Sequence, residues 1–222
     1  HAMKSVIKGG DAFAFVELEL EKDEAVLAES DAMSSMAADL DVQARLNGGF
    51  FVAILRRFLL GETLFVNYFS NNTPGTKRLT LVQPTPGSVR CLELKRETFY
   101  LQPGAFLACT EGVRLGVKFA GFVSWIAREG LFKTEVSGTG KVWYGAYGAL
   151  LERDLDGEMI VDTSHLVAYS PGITLKLQLA GGIFSSFFGG EGLVTRVSGK
   201  GKVVIQTRSL SGLVSWLNPK LP

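Results

Sequence analysis

Serine, histidine and aspartate are the residue types of a nucleophilic hydrolase, and the stretch VDTSHLVAY brings Asp162, Ser164 and His165 close together. A strand through this stretch turns Asp162 and Ser164 to one face and Thr163 and His165 to the other, which splits the set across a sheet. His165 is the one histidine apart from His1, so no multi-histidine metal site can be assembled. It reads as a structural or surface histidine. Two further stretches, SGTGK ending at Lys141 and SGKGK ending at Lys202, suggest a phosphate cradle. A phosphate loop needs a glycine five positions before its Gly-Lys pair and a hydroxyl residue after it. Glu135 and Arg196 hold the first of those places, Val142 and Val203 the second. Both stretches therefore read as tight turns between two strands, with glycine supplying positive φ.

Glu62, Glu129 and Glu191 occupy matching places in recurring segments. Three carboxylates gathered about an axis would hold a cation through oxygen ligands. The competing reading pairs each glutamate with backbone or a neighbouring base at a strand start. Cys91 and Cys109 lie in strand-like runs with no ligand spacing and are expected to be two buried free thiols. The expectation is a chain with no catalytic residues, no cofactor and no metal, and not an enzyme.

What would position these residues is a set of strands. Val16, Leu18 and Leu20 alternate with Glu17, Glu19 and Glu21, and the runs VRLGVKF and ITLKLQL alternate in the same way. Alternation with period two marks half-buried strands, and turn signals such as QPG, SPG, TPG and DGE separate them. The fold class is all-β, with short helices only in loops and at the C-terminus. The stretch EGLFKTEVSGTGKV from Glu129 returns as EGLVTRVSGKGKV from Glu191, and the repetition widens. DVQARLNGG, GVRLGVKFAG and GITLKLQLAGG each end in small residues, pass through an apolar segment and lead to an acidic residue and a strand. Turns at SDAM, QPGA and SPGI introduce the three alternating strands. One domain over 4–222 is expected, built of three β repeats at about 7–85, 86–152 and 153–208. SLSGLVSWLNPKLP adds a short amphipathic helix at 209–218, with Leu210, Leu213, Val214 and Leu217 on one face and Pro219 ending it.

Composition narrows the function classes. Lys and Arg number 23 against 22 Asp and Glu, so the charge footprint of a nucleic-acid binder is lacking and no nucleic acid is expected as a partner. Residues 1–2 read as an expression scar before Met3. MKSVIKGGDAFAF lacks the apolar core and cleavage site of a secretory signal, and the expected location is cytoplasmic. Hydrophobic residues make up 46% of the chain, yet no run reaches the roughly 18 apolar residues of a spanning helix. Such an excess goes into a core, a subunit interface, or both.

The three apolar segments are where the excess concentrates. Phe50, Phe51 and Phe58 belong to the first, Phe122 and Trp125 to the second, and Phe184, Phe187 and Phe188 to the third. They plug the ends of a β core, join copies of the chain into a homo-oligomer, or touch a membrane surface or another protein.

The run GEGLVTRVSGKGKVVIQTRSLSGLVSWL, its echo EGLFKTEVSGTGKVWYGAYGALLERDL and the segment GEMIVDTSHLVAYSPG resemble the Aim-type mitochondrial-biogenesis family, whose bacterial and archaeal members form a conserved domain of unknown function. The likeness runs from Ile7 to Trp216. It implies a double-stranded β-helix-like fold, grouped with the ring-forming tryptophan RNA-binding attenuator protein. It implies no established enzymatic activity and no catalytic residues, and the fungal mitochondrial relatives are linked to organisation of inner-membrane complexes. The first repeat departs from the pattern, with SDAM in place of a Pro-Gly turn and NNTPGTKRL in place of SGxGK. The leading expectation is an oligomeric scaffold or assembly factor. The alternatives are a membrane-surface or membrane-complex adaptor and a small-molecule-binding β-barrel protein.

Overall fold

Alternation in the sequence becomes alternation in burial: along Phe15–Leu20, Val16, Leu18 and Leu20 are fully buried, while Phe15, Glu17 and Glu19 are only partly so. The structure, a computed structural model, describes residues 3–46, 65–119, 132–179 and 193–221. In chain order its strands are β1 Lys4–Lys8, β2 Phe15–Leu20, β3 Ala25–Glu29, β4 Met33–Met36, β5 Asp41–Leu46, β6 Phe65–Ser70, β7 Lys77–Val82 and β8 Val89–Leu101. There follow β9 Phe106–Thr110, β10 Val113–Phe119, β11 Phe132–Gly145, β12 Leu150–Asp162, β13 Leu166–Tyr169, β14 Ile173–Leu179 and β15 Leu193–Gln206. A helix, α1 Leu210–Leu217, comes after them.

The strands form two sheets. The smaller runs β1-β2-β7-β4; the larger runs β12-β15-β13-β8-β11-β9-β3-β6-β5, with β10 added to β11 and β14 to β15. Three antiparallel pairs share one construction. β5 and β6 are in register to Leu46 opposite Phe65, β10 and β11 to Phe119 opposite Phe132, and β14 and β15 to Leu179 opposite Leu193. Each pair thus adjoins one of the segments 47–64, 120–131 and 180–192, which lie outside the described residues.

The long strands β11 and β15 change neighbour halfway. The first half of β11 pairs with β10, and its Val142 and Trp143 pair with β9; the first half of β15 pairs with β14, and its Val203 and Val204 with β13. SGTGK and SGKGK mark the change, so they are not turns between two strands, as expected from the sequence, but bends inside single ones. The turn QPG also falls one strand earlier than expected. It joins β8 to β9, and Glu111–Gly112 introduces the alternating β10.

Val16, Leu18 and Leu20 of β2 and Leu79 and Leu81 of β7 pack the small sheet onto Ala28, Leu107 and Trp143 of the large one. A second cluster joins Leu94 and Leu101 of β8 to Phe106, Val136, Val142 and Tyr144. The third, around Val161, Ile173, Val197 and Val203, is thinner, with Leu155, Met159 and Leu175 partly buried against it. At the end of the large sheet β12 has a free edge among the described residues. Its Glu152, Asp156 and Glu158 pair across to Lys202 at 3.4 Å, Lys200 at 3.4 Å and Arg196 at 2.7 Å. Exposed pairs of this kind contribute little stability; charges along an open edge chiefly discourage another strand from adding there.

Ser209 caps α1, its Oγ accepting from the Gly212 N–H at 3.1 Å. No residue of α1 is buried. Among the described residues no helix is long and apolar enough to cross a membrane.

Candidate functional site

The Asp162–His165 stretch is not a strand. Asp162 ends β12, and Thr163–His165 form one 3-10 turn. The Asp162 carboxylate accepts from the Ser164 N–H at 3.0 Å and from the Ser164 hydroxyl at 2.7 Å, which fixes the turn. His165 Nδ1 lies 2.6 Å from the Gln206 carbonyl oxygen. A carbonyl only accepts, so Nδ1 carries the proton and donates it. The Gln206 side chain completes the tie, donating to the Ser164 carbonyl at 3.0 Å and accepting from the Tyr147 N–H at 3.0 Å. Ser164 is bound to aspartate with no imidazole between them, so the relay a hydrolase needs is not formed. These bonds anchor a turn to β15.

The two glycine-lysine bends are built alike. Thr110, at the end of β9, accepts the Lys141 N–H on Oγ1 at 3.0 Å. Ser170, after β13, accepts the Lys202 N–H on Oγ at 2.8 Å. Each hydroxyl residue opens a turn, Thr-Glu-Gly or Ser-Pro-Gly, that lies directly against the bend. A Cβ on Gly138 would come 2.6 Å from the Gly112 carbonyl oxygen, and one on Gly199 2.2 Å from that of Gly172. The lysine heads are occupied as well. Lys141 Nζ donates to the Met3 carbonyl at 2.9 Å, and Lys202 Nζ to Glu152 at 3.4 Å. The bends serve architecture. The loop from β6 to β7 is held instead by Asn71, which is fully buried. Its Nδ2 donates to the carbonyls of Leu20 and Gly75, and its Oδ1 accepts from the Thr73 N–H and hydroxyl.

One cluster escaped the sequence reading. Lys133 Nζ donates to the Tyr169 hydroxyl at 2.5 Å and sits 4.1 Å from the Tyr100 ring centre and 4.9 Å from that of Tyr169. Burial lowers the lysine below its ordinary range and raises the Tyr169 phenol above its own. Val194 stands where Lys133 does in the matching stretch, a difference that could have flagged the position. The cluster fastens β11 to β8 and β13.

The cysteines divide. Cys109 is fully buried, and desolvation pushes its thiol up to about 12. Cys91 is exposed, contrary to the expectation of two buried thiols, because β8 turns it to the face opposite Leu94. Its thiol is also raised, chiefly by desolvation. In the native protein a maleimide should therefore label Cys91 alone, faster as pH rises, and label Cys109 only in denaturant. Peptide mapping that finds Cys109 labelled without denaturant would contradict the packing.

Glu62, Glu129 and Glu191 lie outside the described residues, as do Phe50, Phe51, Phe58, Phe122, Trp125, Phe184, Phe187 and Phe188. Among the described residues no group of three or more His, Cys, Asp or Glu side chains is placed to hold a metal. Beneath α1 a cleft of about 330 Å³ is lined by Tyr147, His165, Arg208, Leu213 and Trp216, among others.

Residues 6–208 match a family described as mitochondrial biogenesis AIM24. The uncharacterized protein M6_Spy0233 of Streptococcus pyogenes serotype M6 is 28% identical over 229 residues, which is 99% of this chain and 92% of the relative. The crystal structure of protein SPYM3_0169 from Streptococcus pyogenes superposes with a TM-score of 0.81 at 28% identity, covering 99% of this chain and 100% of that one.

Proposed function

The chain belongs to the mitochondrial biogenesis AIM24 family, and on that footing we propose that it is a non-enzymatic, self-associating β scaffold or assembly factor. One observation carries the reading. Three antiparallel pairs, β5–β6, β10–β11 and β14–β15, are in register up to segments that hold Phe50, Phe51 and Phe58, Phe122 and Trp125, and Phe184, Phe187 and Phe188. These segments are the contact surface between copies. The shared pairing also supports a finer architecture: three β units, about 7–85, 86–152 and 153–208, within one double-stranded β-helix-like domain resembling the attenuator-protein fold.

Association through the free edge of β12 is the less favoured route. Two antiparallel copies of that strand would set Glu152, Asp154, Asp156 and Glu158 against their own kind, and like charges facing across strands repel. The test is a Phe187→Ser/Phe188→Ser variant, compared with the parent chain by light scattering on a sizing column. The variant falls to a smaller assembly or a monomer while its far-ultraviolet dichroism stays that of a β protein. An unchanged mass would remove these phenylalanines from the interface.

A further inference from the structure

We infer that α1 and the turn after it form a docking surface for an anionic lipid bilayer. Leu210, Val214, Trp216 and Leu221 are 59%, 55%, 61% and 63% exposed, a large apolar share for so short a segment. The helix carries no charged residue, and from Gly192 to Pro222 there is no aspartate or glutamate. Arg208 precedes it and Lys220 follows, and neither has an ion-pair partner among the described residues. Lys220 instead lies 4.5 Å from the Trp216 ring centre and donates to the Trp216 carbonyl at 3.1 Å. A tryptophan and aliphatic side chains flanked by cations match the boundary between headgroups and acyl chains, where apolar surface is buried and phosphates meet the cations.

The same features disfavour a second copy of the chain as occupant. Eight residues make a helix about 12 Å long and about 10 Å across, so one face offers on the order of 120 Å², well short of the roughly 800 Å² per partner that a stable dimer buries. Two copies would also bring Arg208 and Lys220 against their counterparts, in a segment that holds no aspartate or glutamate. A bilayer sets no minimum area and supplies the opposite charge. The family match ends at residue 208, so this surface lies outside the residues that the match covers. The inference does not depend on the oligomeric reading.

The test is flotation of the full chain with vesicles of phosphatidylglycerol and phosphatidylcholine in equal parts, and with phosphatidylcholine alone. The chain floats with the mixed vesicles and far less with the neutral ones. Val214→Ser/Trp216→Ser weakens binding about tenfold or more, and Arg208→Gln/Lys220→Gln does the same by charge. Both variants keep the parent melting temperature, since Arg208, Val214, Trp216 and Lys220 are all exposed. Absence of flotation overturns the inference. So does undiminished flotation of Val214→Ser/Trp216→Ser, including the case where Phe187→Ser/Phe188→Ser abolishes it instead.

Discussion

Gly199→Ala lowers the unfolding free energy by about 3 kcal/mol or more, enough to consume much of a domain's stability. Two costs combine. At φ 123° the backbone of Gly199 occupies a region nearly reserved for glycine. The added Cβ would also lie 2.2 Å from the Gly172 carbonyl oxygen, a backbone atom that cannot swing away as a side chain can. Relief requires the Ser-Pro-Gly turn to lift off β15, which strains the bond from the Lys202 N–H to Ser170 Oγ. Gly10→Ala is the control. Its φ is 66°, but nothing lies within 4 Å of its Cβ, so it pays only the left-handed penalty of about 1 kcal/mol. Urea unfolding of both variants measures the difference. Equal midpoints would mean that the turn does not sit against the bend.

Trp143→Ala costs about 3–5 kcal/mol, while Trp143→Phe costs under about 1.5. Trp143 is fully buried where the small sheet meets the large one, among Leu18, Leu20, Leu79 and Leu81. Truncation to alanine opens a cavity that two sheets cannot close without moving together. Phenylalanine keeps most of the apolar volume and removes the indole Nε1, which is buried without a hydrogen-bond partner among the described residues. Losing an unsatisfied donor returns part of the packing lost. Chemical denaturation of the pair gives the gap directly. A phenylalanine variant as unstable as the alanine one would show that the indole nitrogen has a partner after all.

The strands were legible because their signal is local. In β2 every second residue is buried as the alternation requires, and in β14 Ile173 is buried with Leu175 and Leu177 partly so. The C-terminal helix was legible from its apolar spacing and from Pro219, although Leu210 and Val214 are exposed rather than packed. The bends at Gly138 and Gly199 misled because a glycine with positive φ looks the same in a hairpin turn as in a strand passing beneath another turn. The difference lies in Gly112 and Gly172, distant partners that no local pattern announces. Asp162 misled in the opposite sense. Its side chain caps a turn that the flanking valine and leucine disguise as strand. The difference between Lys133 and Val194 could flag the position, but not its partners, because β8 and β13 bring Tyr100 and Tyr169 to it from separate parts of the sequence.

Among the candidate sites, the hydrolase set and the glycine-lysine bends resolve into structural bonds. The proposed scaffold role depends on the aromatic segments. The native mass of the unmodified chain, by light scattering on a sizing column, tests that role most directly. The account predicts a stable multiple of 24.0 kDa that persists on dilution. A clean monomer across that range would contradict it.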